Sequence, residues 1–305
     1  STPIKSSAAS DVYKRQTEER IETDSTYDAG TTTQLMWGAR SDVGCVRPHN
    51  EDSYLVQSPL FCVCDGMGGH AAGEVASSIA VETIAKTAPQ SADAARLAAA
   101  VEAANAAVIE AALNGLGKPG MGCTATCAYI ENDTLAIAHV GDSRAYLLHE
   151  GTLIRVTRDH SYVEELVDAG EITADEARVH PNRSVITPAL GSDPAMYADH
   201  FTLHIEEGDR LILCSDGLSS MIPDSDIENI ATQSSTAQIC VDNLVDAALA
   251  AGGHDNVTVI VSNVTGFAEK RRRTLARKTK FSVALVLVLF LAILGGAKAV
   301  SYTHL

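Results

Sequence analysis

From about Met36 to Val264 the chain alternates short apolar runs with clusters of Gly, Asp and Asn. The runs at Tyr54–Val56, Leu60–Cys64, Cys123–Ile130, Leu135–Val140, Ala145–Leu148, His200–Ile205, Arg210–Cys214 and Asn256–Ser262 read as strands. Between some of them lie alanine-rich stretches in which Ile, Val and Leu recur at helical spacing. Ala71–Lys86, Ser91–Leu113 and Thr236–Ala250 are predicted helices, and Ser161–Ala169 is a shorter one that Gly170 can cap. The strands come in adjacent groups with helix pairs between them. That order predicts an α+β class in which sheet packs on sheet with helices outside, rather than strict βαβ alternation.

The two ends read differently. Residues 1–33 are polar, rich in Ser, Thr, Asp and Glu, and without a period, so they are expected to be a disordered leader. They contain no apolar segment of the kind a signal peptide needs. The terminal stretches SSAASDVYKRQ and SYTHL differ in composition from the rest and resemble translated adapter sequence. No function is assigned to them, and on that reading the natural C-terminus lies beyond Leu305. Near the C-terminus Lys270, Arg271, Arg272, Arg273, Arg277, Lys278 and Lys280 precede the uncharged run Phe281–Ala297. A spanning helix needs at least about 17 residues. A buried core helix of this length would be the alternative reading. The run is apolar on every face and a basic cluster abuts it, which favours a transmembrane helix with the folded domain on the cytoplasmic side of the cell membrane. The predicted organisation is a leader over 1–33, a folded domain over 34–266, a basic juxtamembrane linker over 267–280, a single membrane helix over 281–297 and a tail over 298–305.

Charge sharpens this division. Of 23 basic and 39 acidic residues, the segment from Glu269 onward holds eight and one, leaving 15 basic and 38 acidic residues in the body. So acidic a body argues against nucleic acid as a partner, because phosphate backbones need Lys and Arg. The seven cysteines, Cys45, Cys62, Cys64, Cys123, Cys127, Cys214 and Cys240, form no CxxC pair, and most lie in apolar runs. They are expected to be buried thiols in a reducing compartment, in preference to a zinc site through Cys62 and Cys64.

The candidate chemistry lies at the strand ends. Three apolar runs lead into an aspartate: Phe61–Cys64 into Asp65-Gly66, Ala136–Gly141 into Asp142, and Leu211–Ser215 into Asp216-Gly217. Asp255 opens a fourth strand, and Glu51-Asp52 precedes the strand at Tyr54. One strand-end Asp is a common turn or cap. Several on successive core strands would place carboxylates at one edge of the core, where they repel and require a cation. All the candidate ligands are hard oxygens, with no clustered His or Cys, which selects Mg²⁺ or Mn²⁺. Two such ions can activate water and neutralise an in-line phosphoryl displacement without a protein nucleophile. Asp65-Gly-Met-Gly-Gly-His70 is neither a Walker loop nor GxGxxG; its glycines would let the Gly66 carbonyl approach an ion. Arg47, four residues before Glu51, is the basic residue beside this acidic set, and its guanidinium suits a phosphate.

Seven segments together resemble the PPM/PP2C family of metal-dependent protein phosphatases. They are Arg47-Pro-His-Asn-Glu-Asp52, Asp65-Gly-Met-Gly-Gly-His70, Gly122-Cys-Thr124, Val140-Gly-Asp-Ser-Arg144, Asp159-His-Ser161, Ser215-Asp-Gly217 and Gly253-His-Asp-Asn-Val-Thr258. They stand in the family's order, span about Met36 to Val264, and look closest to bacterial membrane-anchored members. The resemblance implies a four-layer α-β-β-α sandwich with a dinuclear Mn²⁺ or Mg²⁺ centre between two antiparallel sheets. It implies that Asp65 bridges both ions, that Asp216 and Asp255 complete the first, and that the Gly66 carbonyl binds the second. Glu51 and Asp52 would act near the second ion, Asp142 would serve a third, and Arg47 would hold the phosphate. The implied reaction is hydrolysis of phosphoserine and phosphothreonine by a metal-bridged hydroxide. The implied partners are phosphorylated proteins, including a cognate bacterial Ser/Thr kinase.

Two departures from the family pattern stand out. Met67 occupies the place of a histidine proposed as general acid in eukaryotic members, as it does in bacterial relatives, which leaves the leaving-group proton donor unassigned, with metal-bound water the favoured reading. Pro188 stands where many bacterial relatives have Arg, in a flap expected from Ser161 to about Gly191. Three rival readings are a pseudo-phosphatase, a phosphatase for an anti-anti-sigma-like regulator, and a membrane scaffold stapled by metal. The complete carboxylate set weighs against the first. The lack of room for a sensory domain in residues 1–33 weighs against the second, and Arg47 against the third. His49, His139, His160 and His180 are expected to be structural or surface groups.

Overall fold

The computed structural model describes residues 25–68 and 72–266. Strand β1 (Ser25–Thr31) pairs antiparallel with β2 (Leu35–Asp42). The expectation of disorder through residue 33 is therefore corrected for Ser25–Thr31. This strand is an edge whose side chains are mostly solvated, so its composition is polar although its backbone is paired. Tyr27 lies over the Arg40 guanidinium, 5.5 Å from the ring centre, and Gly30 leaves room for the Trp37 ring, which a Cβ would meet at 2.3 Å.

Next come β3 (Ser53–Gln57), β4 (Leu60–Cys64) and the two-residue β5 (Gly66–Met67), then helices α1 (Ala72–Thr87) and α2 (Ala94–Leu113). Asp93 caps α2 by accepting from the Arg96 N–H. The short β6 (Gly122–Cys123) leads into β7 (Ala125–Glu131), β8 (Thr134–Val140), β9 (Arg144–His149) and β10 (Thr152–Arg155). The β9–β10 turn is Glu150-Gly151, both with positive φ (49° and 82°), the geometry that matches strand twist in a two-residue hairpin. The flap carries α3 (Tyr162–Asp168) and α4 (Ala174–Arg178). Thr173 and Glu176 close α4 with a reciprocal capping box. The chain returns through β11 (Asp199–His204) and β12 (Arg210–Cys214), passes α5 (Asp216–Ser219), α6 (Asp224–Gln233) and α7 (Ala237–Ala250), and ends in β13 (Val257–Val264).

Two large antiparallel sheets result, ordered β1-β2-β13-β12-β9-β10 and β11-β8-β7-β4-β3, beside the two-stranded pair β5-β6. Strand period two divides each sheet into two buried faces. Leu60, Cys62 and Cys64 of β4, with Ala125 and Cys127 of β7, pack under α1 and α2. Ile212 and Cys214 of β12, with Val257, Val259 and Val261 of β13, pack under α6 and α7. The alternate residues, among them Phe61, Val63, Leu211, Leu213 and Ile260, are buried as well. Phe61 of β4 meets Trp37 of β2 edge-on at 6.1 Å, which brings the inner faces of the two sheets together. The layers are therefore helix, sheet, sheet, helix, as the strand grouping predicts. Both faces of the central strands are dry, so these strands read as continuous apolar runs.

Six of the cysteines are buried free thiols and Cys45 is exposed. Among the described residues none joins a group of three or more side chains able to hold a metal, so Cys62 and Cys64 form no zinc site there. The chain divides into a unit ending at Thr265 and a second one from Gly266. No helix among the described residues is long and apolar enough to cross a membrane. The basic segment 267–280 and the run Phe281–Ala297 lie outside the described residues.

Candidate active site

The strand ends converge as the sequence predicts. Asp65 and Asp142 follow β4 and β8 of one sheet, while Asp216 and Asp255 flank β12 and β13 of the other. Asp52 joins them from the segment entering β3. The Asp65 carboxyl feels all four of the others. Burial strips its water, Asp52, Asp216, Asp142 and Asp255 repel its charge, and its pKa rises well above the usual carboxylate range. Asp216 is pushed up to about 6, first by burial and then by Asp255, with a hydrogen bond to Asp65 and the guanidiniums of Arg47 and Arg144 opposing. Asp52 is pushed up to about 7 by burial, and hydrogen bonds from Thr258 and Ser215 only partly offset this. Asp142 is raised by burial, then by Asp216 and Asp159.

The set is suited to hard cations. Asp52 Oδ1 and Asp142 Oδ1 are buried with no hydrogen-bond partner. The converging groups offer carboxylate oxygens, the preference of Mg²⁺ and Mn²⁺. Among the described residues no three His, Cys, Asp or Glu side chains stand close enough to hold an ion as they are. The residues present fit a divalent centre by chemistry and by their two orphaned oxygens.

Backbone packing explains Gly66. A Cβ there would sit 2.3 Å from the Gly73 carbonyl oxygen and 2.5 Å from that of Glu51. The Gly66 N–H donates to the Glu51 carbonyl at 3.1 Å, and Ser77 Oγ donates to the same oxygen at 2.6 Å. Glycine is thus required by three converging backbone segments, a reason the sequence did not disclose. Arg47 sits at the rim with its side chain half exposed, donating from Nη2 to Asp255 Oδ2 at 2.7 Å. Burial works against its charge, but Asp255, Asp216 and Glu51 outweigh it. The guanidinium therefore lies beside the carboxylates but paired, and being partly solvated the pair costs little to open.

Several site residues stand in the motifs but had no role assigned from sequence. Asn256 accepts from the Glu51 N–H at 2.8 Å and donates from Nδ2 to the carbonyls of Val43 and His49, both at 2.9 Å. It ties the loop bearing Arg47 and Glu51 to Asp255. Ser215 and Thr258 each donate to Asp52 Oδ2 at 2.7 Å. Thr124 accepts from the Asp65 N–H at 2.9 Å and contacts Ser143 Oγ at 2.7 Å, joining the Asp65 and Asp142 turns. All four are polar members of the recognised motifs, and a search for ligands alone passes over them. Asn256→Ala leaves several buried backbone groups unpaired. We expect a loss of about 2–4 kcal/mol in denaturant unfolding together with a raised KM for phosphopeptide.

The histidines are structural, as expected for His139, which is buried, bonded to Thr126 Oγ1 and the Arg158 carbonyl, and lowered to about 4 by burial and by His160. His160 anchors the flap. Its N–H donates to the Gly141 carbonyl at 2.7 Å, its Nδ1 accepts from the Gly141 N–H, and its Nε2 faces Asp199 at 3.1 Å. His49 is exposed. Arg144 donates to both oxygens of Asp159, fixing the base of the flap. Pro188 follows a cis peptide bond.

Comparison with known proteins places this geometry. A model of the protein phosphatase 2C family matches residues 37–166. The serine/threonine protein phosphatase PstP of Mycobacterium tuberculosis is 41% identical over 245 residues, covering 78% of this chain and 47% of the relative. The chain thus spans about half the length of that protein. The serine/threonine phosphatase Stp of Listeria welshimeri is 36% identical over 234 residues, covering 73% of this chain and 93% of the relative. The crystal structure of M. tuberculosis PstP superposes with a TM-score of 0.72 at 40% identity, covering 76% of this chain and all of that one. A structure of the PstP catalytic domain in complex with two manganese ions superposes at 0.71 with 38% identity, covering 79% of this chain and all of that one. This chain belongs to the protein phosphatase 2C family.

Proposed function

We infer that this chain is a Mn²⁺- or Mg²⁺-dependent phosphatase that hydrolyses phosphoserine and phosphothreonine in proteins, opposing a bacterial Ser/Thr kinase. The observation that carries the reading is the group of five buried or half-buried aspartates from both sheets around Asp65, with Arg47 at its rim. Asp65, Asp216, Asp255 and the Gly66 carbonyl would hold two ions, with Glu51, Asp52 and Asp142 beside them and Asp142 serving a third. Bound there, the ions supply Lewis-acid activation of water and neutralise charge on the phosphoryl oxygens.

The chain's own groups do the rest. Arg47 leaves Asp255 and turns its planar fork to the substrate phosphate. Ser215 and Thr258 aim Asp52, so that its unpartnered Oδ1 accepts a proton or orients water. Met67 carries no transferable proton, so the leaving oxygen would take its proton from water held at the centre. In kinetics with a phosphothreonine peptide, Arg47→Ala should raise KM about tenfold or more, the scale of a charge-assisted bidentate contact. An unchanged KM would remove Arg47 from the phosphate site.

The sequence also supports a single-pass anchor. Phe281–Ala297 is uncharged and follows a basic cluster, which places the catalytic domain on the cytoplasmic side. Recovery of the whole chain in the soluble fraction, without detergent, would contradict the anchor.

A further inference from the structure

A cavity of about 220 Å³ opens between the flap and helices α5 and α6, walled at one end by Asp142 and Asp216. Its flap wall is apolar at Val163, Val167 and Ala177. Most charges along it are already matched: Arg144 by Asp159 and Asp224, and Arg155 by Glu164. Two guanidiniums are left over. Arg178 has a buried Nε without a hydrogen-bond partner, and its Nη2 reaches only the Met221 carbonyl, at 3.3 Å. Arg183 lines the same cavity and makes no ion pair among the described residues. Asp175, on the flap rim, is the remaining unpaired acid besides Asp142 and Asp216 at the centre.

We propose that this cavity is a specificity subsite that takes an acidic side chain of the substrate polypeptide, bound by Arg178 and Arg183, a few residues from the phosphorylated one. The inference rests on the phosphatase reading above. An unpaired buried N–H needs an acceptor, and a carboxylate meets a guanidinium with two parallel hydrogen bonds. The position of Asp142 and Asp216 in the cavity wall means that a peptide with its phosphate at the centre enters this cavity with a flanking residue. The lining valines and alanine then cover the methylenes of a Glu.

The test uses the full chain with Mn²⁺ and phosphothreonine peptides identical except for one residue. That residue is Glu, Gln or Lys, placed in turn one to four positions on either side of the phosphothreonine. The readout is the ratio of kcat/KM between Glu and Gln peptides, in which changes at the centre itself cancel. We expect Glu to be favoured about three- to tenfold at one position or two adjacent ones, through KM. Arg183→Gln should bring the ratio close to one, and Arg183→Glu should shift preference to Lys. Arg183 is exposed, so these variants keep the fold. A ratio near one at every position in the unaltered chain overturns the proposal. So does a preference that survives unchanged in both Arg183→Glu and Arg178→Gln. Hydrolysis of none of the peptides, the Gln series included, overturns the phosphatase reading and this subsite with it.

Discussion

Asp65→Asn is expected to lower kcat on a phosphothreonine peptide by about 10³-fold or more, roughly 4 kcal/mol of transition-state stabilisation. Its fold should be kept. Asp65 feels Asp52, Asp142, Asp216 and Asp255 together, so amidation removes a group whose ionisation all four oppose. Without divalent cation the variant should therefore melt no lower than the parent chain, and higher at neutral pH. Loss of activity with loss of fold would make Asp65 structural. Near-normal activity with the fold intact would sink the metal mechanism. The backbone at this position is independent of the carboxyl, since the Asp65 N–H and carbonyl are held by Thr124 on both sides.

The second large effect is on stability. An Asp in an unfolded chain titrates near 3.9, whereas in the folded domain Asp216 is pushed up to about 6 and Asp52 to about 7, each chiefly by burial. Between those values the folded state binds more protons than the unfolded one. Stability in EDTA then falls as pH rises from about 4 to 7. Mn²⁺ binds the deprotonated carboxylates, so its benefit must grow over the same range. At a concentration about 100-fold above Kd, one site contributes about 2.7 kcal/mol. For a domain of this size that is about 5–10 °C in Tm. We expect a shift of that order at pH 8 and a much smaller one at pH 5.5, read by thermal melts with Mn²⁺ and with EDTA. Equal shifts at both pH values would show that the buried aspartates do not hold the ion.

Legibility followed burial. The central strands β4, β7, β8, β12 and β13 are dry on both faces, so their sequences are apolar runs, with Asp65, Asp142 and Asp216 following β4, β8 and β12 and Asp255 preceding β13, and both the strands and the carboxylates were readable. Strand β2 was not, because Gly38, Arg40, Ser41 and Asp42 interrupt it. Arg40 is buried there only because Asp246 and Asp42 pair with it, and Ser41 because Thr258 Oγ1 lies 2.7 Å away. Those partners lie some two hundred residues along the chain or on the same buried strand face, where no local pattern reveals them. Strand β1 is a solvated edge and imitates a disordered leader. In the flap α4 was missed, although the spacing of Thr173 and Glu176 spells a capping box, because the helix is short and buries nothing. At the site the candidate ligands were legible from residue type. Asn256, Ser215 and Thr124 act by orienting other groups, and that role belongs to geometry rather than to composition.

Every role proposed for this site requires metal-dependent hydrolysis. The most direct measurement is phosphate release from a phosphothreonine peptide by the chain, with Mn²⁺, with Mg²⁺, with EDTA, and for Asp216→Asn. We expect release with either ion, none in EDTA, recovery when Mn²⁺ is restored, and a loss of about 10³-fold in the variant. Release that persists in EDTA, or no release with any divalent ion from folded protein, would contradict it.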